Sequence, residues 1–219
     1  MKVMVTAGTT GIGKAIVQKL REEGHYVLAT TSNKEKLSEE TVLWDMKEPE
    51  TTQNLFKTFG DVDLFIHCAH SFSGACLSAQ IKKDEFMTSL NTNIAEIFEL
   101  TRQLSRKMNR KKKGHIIFLG SLLALDPAPG KLIYITEKMA LQGMLSAFKT
   151  EFTNLNYHII HPALVSTEQV MERIDQNIRD SVGTLLTPQE VAVKISQVVK
   201  SPKEFSFEVT LRGGQNWKN

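Results

Sequence analysis

Lys2-Val3-Met4-Val5-Thr6-Ala7-Gly8-Thr9-Thr10-Gly11-Ile12-Gly13 runs directly into Lys14-Ala15-Ile16-Val17-Gln18-Lys19-Leu20. Lys2 to Thr6 is a short apolar run of the kind that forms a buried strand, Ala7 to Gly13 is a glycine-rich turn, and the apolar residues that follow recur at helical spacing. Strand, tight turn and helix in that order leave backbone N–H groups free at the helix start, where they can hold a pyrophosphate. Glycines there let a cofactor and neighbouring backbone come close. A glycine turn alone is only suggestive, but its position between a strand and a helix is the context a dinucleotide site requires. Gly8, Thr9, Thr10, Gly11, Ile12 and Gly13 are therefore the first candidate cofactor-binding residues.

Gly24-His25 leads into a second strand, Tyr26-Val27-Leu28-Ala29-Thr30-Thr31. The ribose-selecting residue of such a unit comes about 20 residues after the glycines, at the end of this strand. Thr31 stands there. An acid would bind a ribose 2′-hydroxyl and repel a 2′-phosphate, so its absence, with Ser32, Asn33 and Lys34 following, favours NADP(H) over NAD(H), although no arginine is present. Thr41-Val42-Leu43-Trp44 is a third short strand ending at Asp45 and Met46; the Asp45 carboxylate either accepts a bond from an adenine amino group or caps the next turn. Val62-Asp63-Leu64-Phe65-Ile66 is a fourth strand, running into His67-Cys68-Ala69-His70. Two histidines and a cysteine invite a metal reading, but strand neighbours point to opposite faces, so His67 and Cys68 diverge and no metal site is expected. Cys68, Ala69 and His70 read instead as backbone beside the cofactor.

Residues 84–108 carry Phe86, Leu90, Ile94, Ile97, Phe98 and Leu104 at helical spacing, which predicts one long core-facing helix. Asn91 and Asn93 interrupt it, and an asparagine inside an apolar helical pattern points to a specific partner for its side chain. A fifth strand, Ile116 to Leu119, ends at Gly120-Ser121, and Asp126-Pro127-Ala128-Pro129-Gly130 leads to a helix carrying Tyr134 and Lys138. Those two side chains, four apart, share a helix face. A phenol with an ammonium beside it can do proton chemistry, because the fixed charge favours the phenolate. His158-Ile159-Ile160 is a sixth strand ending at His161-Pro162, residues 167–186 suit a small substrate flap, and Thr187-Pro188-Gln189-Glu190 reads as a capped helix start. A helix over residues 188–200 and a strand from Ser206 to Leu211 complete the pattern.

Alternating strands and helices imply an α/β fold, a Rossmann-type doubly wound parallel sheet, with ligands beyond the carboxyl ends of the strands. With 219 residues, 41% hydrophobic and 23% charged, and no repeats or linkers, a single domain is expected. The net charge of +3 comes largely from Arg106 to Lys113, cations that complement a helix C-terminus. A nucleic-acid or lipid footprint normally gathers basic residues from several elements, so neither partner is expected, while a carrier with an acidic surface is a candidate. Two cysteines make no disulfide framework, no apolar run approaches a membrane span, and no signal peptide precedes the first strand, so the expected location is cytoplasmic.

The pattern resembles the short-chain dehydrogenase/reductase family over nearly the whole chain. The family's Tyr-x-x-x-Lys matches Tyr134 and Lys138, its catalytic serine thirteen residues earlier matches Ser121, and its helix asparagine fits Asn93 in Asn93-Ile94-Ala95-Glu96-Ile97-Phe98. The turn before a distant threonine matches Pro162-Ala163-Leu164-Val165-Ser166-Thr167, and a closing Gly-Gly matches Gly213-Gly214. Three places depart from the family: Ala7 where the first glycine belongs, His67-Cys68-Ala69-His70 for Asn-Asn-Ala-Gly, and Ala163 for the glycine after the proline.

The resemblance implies hydride transfer at a carbonyl carbon. Tyr134 is then the proton donor, Ser121 a hydrogen-bond donor to the substrate oxygen, and Lys138 both a tuner of the tyrosine and a ligand of the nicotinamide ribose. Asn93 would hold a water that links Lys138 to solvent. Tyr134, Lys138, Pro162, Val165 and Thr167 join the implied cofactor contacts, the substrate is a small carbonyl or alcohol compound, free or carrier-bound, and assembly as a homodimer or homotetramer is expected. The leading expectation is an NADPH-dependent ketone reductase, with the 3-oxoacyl-carrier reductases its nearest analogue. An NAD-linked alcohol dehydrogenase on a sugar, steroid or polyol is the alternative. A catalytically silent nucleotide-sensing or scaffold protein is the alternative of another class.

Overall fold

The computed structural model describes residues 1–59, 61–174 and 184–213. Its strands are β1 (Lys2–Val5), β2 (Tyr26–Thr31), β3 (Thr41–Leu43), β4 (Leu64–His67), β5 (His115–Leu119), β6 (Asn156–Pro162) and β7 (Glu208–Leu211). All pair in parallel, in the order β3-β2-β1-β4-β5-β6-β7. The chain winds outward from β1 to β3 and then crosses back to place β4 on the other side of β1. The sheet is thus doubly wound, and its strand order reverses between β1 and β4, which opens the crevice where such sheets take ligands.

Side chains alternate across the sheet with period two and feed two cores. Val3, Val5, Ile66, Ile117 and Leu119 face α1 (Gly11–Glu22) and the helix Pro188–Lys200, whose Ile16, Leu20, Val191, Ile195 and Val198 complete that layer. Met4, Phe65, Ile116 and Phe118 join the opposite core with Leu55 of α2 (Pro49–Phe59), and with apolar residues of Glu96–Arg110 and of Leu132–Glu151. Fully burying one such aliphatic or aromatic side chain contributes about 1.5–3 kcal/mol before chain entropy is set against it.

The helix expected over residues 84–108 is interrupted. It consists of α3 (Lys83–Leu90), a π-helical turn at Asn91–Ala95, and α4 (Glu96–Arg110). Asn93 lies buried in the turn, so the residue that disturbed the apolar pattern marks a real irregularity. Phe98, expected in the core, is 44% exposed and touches Phe148 at 6.1 Å between ring centroids. The remaining helices are α5 (Leu122–Leu125), α6 (Leu132–Glu151), α7 (Glu168–Met171) and α8 (Pro188–Lys200). Thr187 and Glu190 cap α8 reciprocally, as their spacing predicts. The expected flap at 167–186 begins with α7, while its residues 175–183, like Gly214, lie outside the described residues. Among the described residues no helix is long and apolar enough to cross a membrane.

Candidate active site at the carboxyl ends of the strands

The glycine turn has the shape its sequence predicts. A Cβ on Gly8 would lie 2.6 Å from Ala29 Cβ, one on Gly13 would lie 2.3 Å from the Ala7 carbonyl oxygen, and Gly11 has φ 50° with Thr167 Cγ2 3.3 Å from its Cβ position. The N-cap residue Thr10 makes no side-chain bond to the helix, and no acid stands in the first turn of α1. The leading N–H groups of α1 are thus available to a phosphate, and the residues present fit a dinucleotide. Thr6, at the end of β1, braces the turn from below: its Oγ1 accepts the N–H groups of Cys68 at 2.9 Å and Ala69 at 3.0 Å. Its remaining proton goes to His67 Nδ1 at 3.0 Å. His67 then packs edge-on to Phe118 while Cys68 packs on the opposite core, so the two diverge as strand neighbours should.

At the ribose end, Thr31 Oγ1 accepts from the Thr9 hydroxyl and from the Asn33 N–H, both at 3.1 Å, so Thr31 fastens the turn to β2. Ser32, Asn33 and Lys34 are exposed just beyond it. Asp45 Oδ1 accepts the Lys47 N–H at 2.9 Å, which is the turn-capping role, and Met46 packs against the second core. Pro162 ends β6, Val165 bridges to Leu186, and Thr167 caps α7 beside Gly11.

Ser121 follows β5 and caps α5, its buried Oγ accepting the Leu123 N–H at 3.3 Å and its side chain hydrogen-bonding the Tyr134 phenol. His161 Nδ1 lies 3.0 Å from the Ser121 carbonyl oxygen and 3.3 Å from its nitrogen, and holds that main chain in place. A side chain on Gly120 would strike His161 at 2.5 Å. Burial raises the Tyr134 phenol above its ordinary range; the Ser121 side chain opposes this and Glu137 adds to it. Lys138 Nζ, buried, donates to Leu119 O at 3.0 Å and lies 5.7 Å from the Tyr134 ring centroid. Burial pulls the Lys138 ammonium down to about 8. Desolvation is the largest influence on the phenol.

Asn93 is anchored through its side chain. Its Oδ1 accepts the Ser71 N–H at 2.8 Å, and its Nδ2 donates to Ser71 O at 3.0 Å, Ser89 O at 3.3 Å and Glu137 Oε1 at 2.9 Å. These four bonds fix the side-chain amide in the π turn. Glu137 is the residue sequence reading missed. It is fully buried, accepts the Ser89 hydroxyl at 2.5 Å on Oε1, and pairs with His70 Nε2 at 2.8 Å through Oε2. Burial pushes its carboxyl up, but the bonds from His70, Ser89 and Asn93 outweigh that and hold it below the usual carboxylate range. His70 is held below the ordinary histidine range by burial and by Lys138, against Glu137. The available signal was the charged residue directly before Lys138; an acid on a helix ordinarily reads as solvated.

The model of the family described as short chain dehydrogenase matches residues 1–178, and the chain belongs to that family. It is therefore an oxidoreductase of the class that uses a nicotinamide dinucleotide. Among curated relatives, the 3-oxoacyl-[acyl-carrier-protein] reductase FabG of Rickettsia prowazekii is 23% identical, covering 95% of this chain and 92% of its own. The uncharacterized oxidoreductase YvaG of Bacillus subtilis is 29% identical, covering 94% and 86%. Among solved structures, a 4-hydroxyisoleucine dehydrogenase mutant complexed with NADH and succinate superposes with a TM-score of 0.88 at 22% identity, covering 100% of both chains.

Proposed function

We propose that this chain reduces a ketone to a secondary alcohol with NADPH, using Tyr134 as the proton donor. The observation that carries the reading is the convergence of Ser121, Tyr134 and Lys138 at the carboxyl ends of β5 and the neighbouring strands, beside a glycine turn open to a pyrophosphate. A nicotinamide dinucleotide held by its pyrophosphate at that turn would supply the hydride. The Ser121 hydroxyl, already an acceptor from Leu123, directs its proton at the substrate oxygen, and Tyr134 gives its proton to the alkoxide as it forms. The raised phenol keeps Tyr134 protonated at neutral pH, which suits the reductive direction. Lys138, held at Leu119 O, orients the nicotinamide ribose.

Preference for NADPH is supported by the missing acid at Thr31 and by the exposed Ser32, Asn33 and Lys34. The FabG relative's name supports a 3-oxoacyl or similar carbonyl substrate, free or on a carrier. The NADH named in the complex of the similar structure keeps an NAD-linked alcohol dehydrogenase as the second reading. Exposed Phe98 and Met139, each 44% exposed, support a homodimer or homotetramer built on α4 and α6, which light scattering of the purified protein checks.

A panel of ketones and 3-oxoacyl thioesters, assayed with NADPH and with NADH, tests the function. The expected result is turnover at lower KM for NADPH, lost about 10²-fold or more in Tyr134→Phe while cofactor affinity is retained. Unchanged turnover in that variant overturns the assignment, and a clear preference for NADH overturns the cofactor reading.

A further inference from the structure

Proton transfer from Tyr134 leaves a phenolate that must be reprotonated before the next turnover. The Asn93 amide is taken up by Ser71, Ser89 and Glu137, and Lys138 Nζ donates to Leu119 O. Another titratable side chain packs on the Tyr134 ring. The His70 ring meets Tyr134 edge to face, with centroids 5.0 Å apart and planes at 82°. Its Nε2 faces Glu137 Oε2 at 2.8 Å, and that carboxylate is immobilised on its other oxygen by Ser89 and Asn93. An ionised carboxylate accepts only, so Nε2 carries the proton and Nδ1 presents a lone pair. Nδ1 makes no hydrogen bond among the described residues, and 13% of the side chain is open to solvent. The imidazole thus packs on Tyr134 on one side and opens to solvent on another, and a buried acid fixes its tautomer.

We propose that His70, oriented by Glu137, is the proton shuttle between Tyr134 and solvent, an inference that rests on the reading of Tyr134 as the catalytic acid. In reduction, Tyr134 O–H gives its proton to the alkoxide and becomes phenolate. His70, having taken a proton from water on Nδ1 to form an imidazolium paired with Glu137, returns that proton to the phenolate directly or through one water. One proton enters from solvent for each alcohol formed, and oxidation runs the same steps backward. Glu137 is a positioning residue in this scheme, and so is Asn93, which steadies Glu137. Several charged or titratable groups surround the imidazole. Glu137 favours its protonated form and Lys138 disfavours it, His67 lies at the end of β4, and Lys131 and Arg173 flank Phe72, the ring next to His70.

The test uses the full chain with any carbonyl the wild type reduces. His70→Phe keeps an apolar ring against Tyr134 and Phe72 but holds no proton. Its kcat is expected to fall by about tenfold or more, with KM for carbonyl and cofactor within about twofold, and the limb of the kcat–pH profile belonging to His70 is expected to vanish. Glu137→Gln is expected to move that limb to lower pH, because the imidazolium loses its partner. Added imidazole is expected to restore His70→Ala in proportion to its concentration, which no purely structural loss would allow. Wild-type kcat and pH profile in His70→Phe overturn the shuttle, as does a deficit in His70→Ala that imidazole leaves untouched. If the wild type turns over no carbonyl or alcohol, the catalytic reading of Tyr134 has failed. The pairing is then judged by NMR titration of His70. A midpoint that shifts in both Tyr134→Phe and Glu137→Gln supports the coupling, and one indifferent to either substitution overturns it.

Discussion

Ala7 holds a side chain at φ 51°, in the left-handed region that costs a residue with a Cβ about 1–2 kcal/mol. Ala7→Gly removes that cost but makes the unfolded chain more flexible, which costs roughly 0.4–1 kcal/mol. The expected outcome is a gain between zero and about 1.5 kcal/mol, read as a higher urea midpoint at unchanged slope. Gly13→Ala goes the other way, since its Cβ would press on the Ala7 carbonyl at 2.3 Å; cofactor affinity measured by fluorescence titration is expected to collapse. The departure at Ala7 was readable from the sequence, because the turn motif has a fixed register. Glu137 was not, because its partners Ser89 and His70 are 48 and 67 residues away, and nothing local distinguishes a buried acid from a solvated one.

Two pairs of elements are joined by groups whose ionisation sets how they respond to pH. Glu23, at the end of α1, accepts Ser196 Oγ at 2.7 Å and Lys200 Nζ at 2.9 Å from α8, with Lys19 Nζ at 3.1 Å. Burial pushes its carboxyl up, but these partners outweigh it and hold it at about 2. A depressed carboxylate contributes stability that is whole above its unfolded value near 4.5 and fades as pH falls toward 2. Glu23→Gln is therefore expected to lower the thermal midpoint at pH 7 and to narrow its gap to wild type as pH falls toward 3.

At the opposite ends of β5 and β6, His115 Nε2 and His158 Nδ1 share one proton at 2.8 Å. Burial, reinforced by His158, holds His115 at about 3. The folded protein then binds fewer protons than the unfolded chain below pH 6.5, so stability is lost as pH falls from 6.5 toward 3. Urea midpoints measured across that range are expected to decline, and less steeply in His115→Gln. The elements themselves were legible from period-two and helical spacing. The π turn was not read as such, because a single inserted residue leaves apolar spacing on either side of it intact; only Asn93 marked its place.

For the molecule as a whole, a ligand that binds only the folded state stabilises it by mass action, about 2.7 kcal/mol at a hundredfold excess over Kd. NADPH is expected to raise the thermal midpoint more than NADH does, and neither is expected to move it in Gly13→Ala. The turn proposed to receive the cofactor is tied through Thr6 to β4 and through Thr30 and Thr31 to β2. The doubly wound architecture was legible almost in full, since it follows from the alternation of elements. The chemistry of the site walls was not, because it depends on which distant side chains the winding brings together.

The π turn at Asn91–Ala95 has a consequence for length variation. Each residue advances a helix by about 100°. Deleting one residue from this turn would leave a continuous helix of good propensity, yet it would rotate α4 by that angle relative to α3. Either Ile97, Leu100, Leu104 and Met108 would leave the core, or Ser89 would leave Glu137. Circular dichroism would register little change from such a frame shift, although one of the two faces of the helix would be pointing the wrong way.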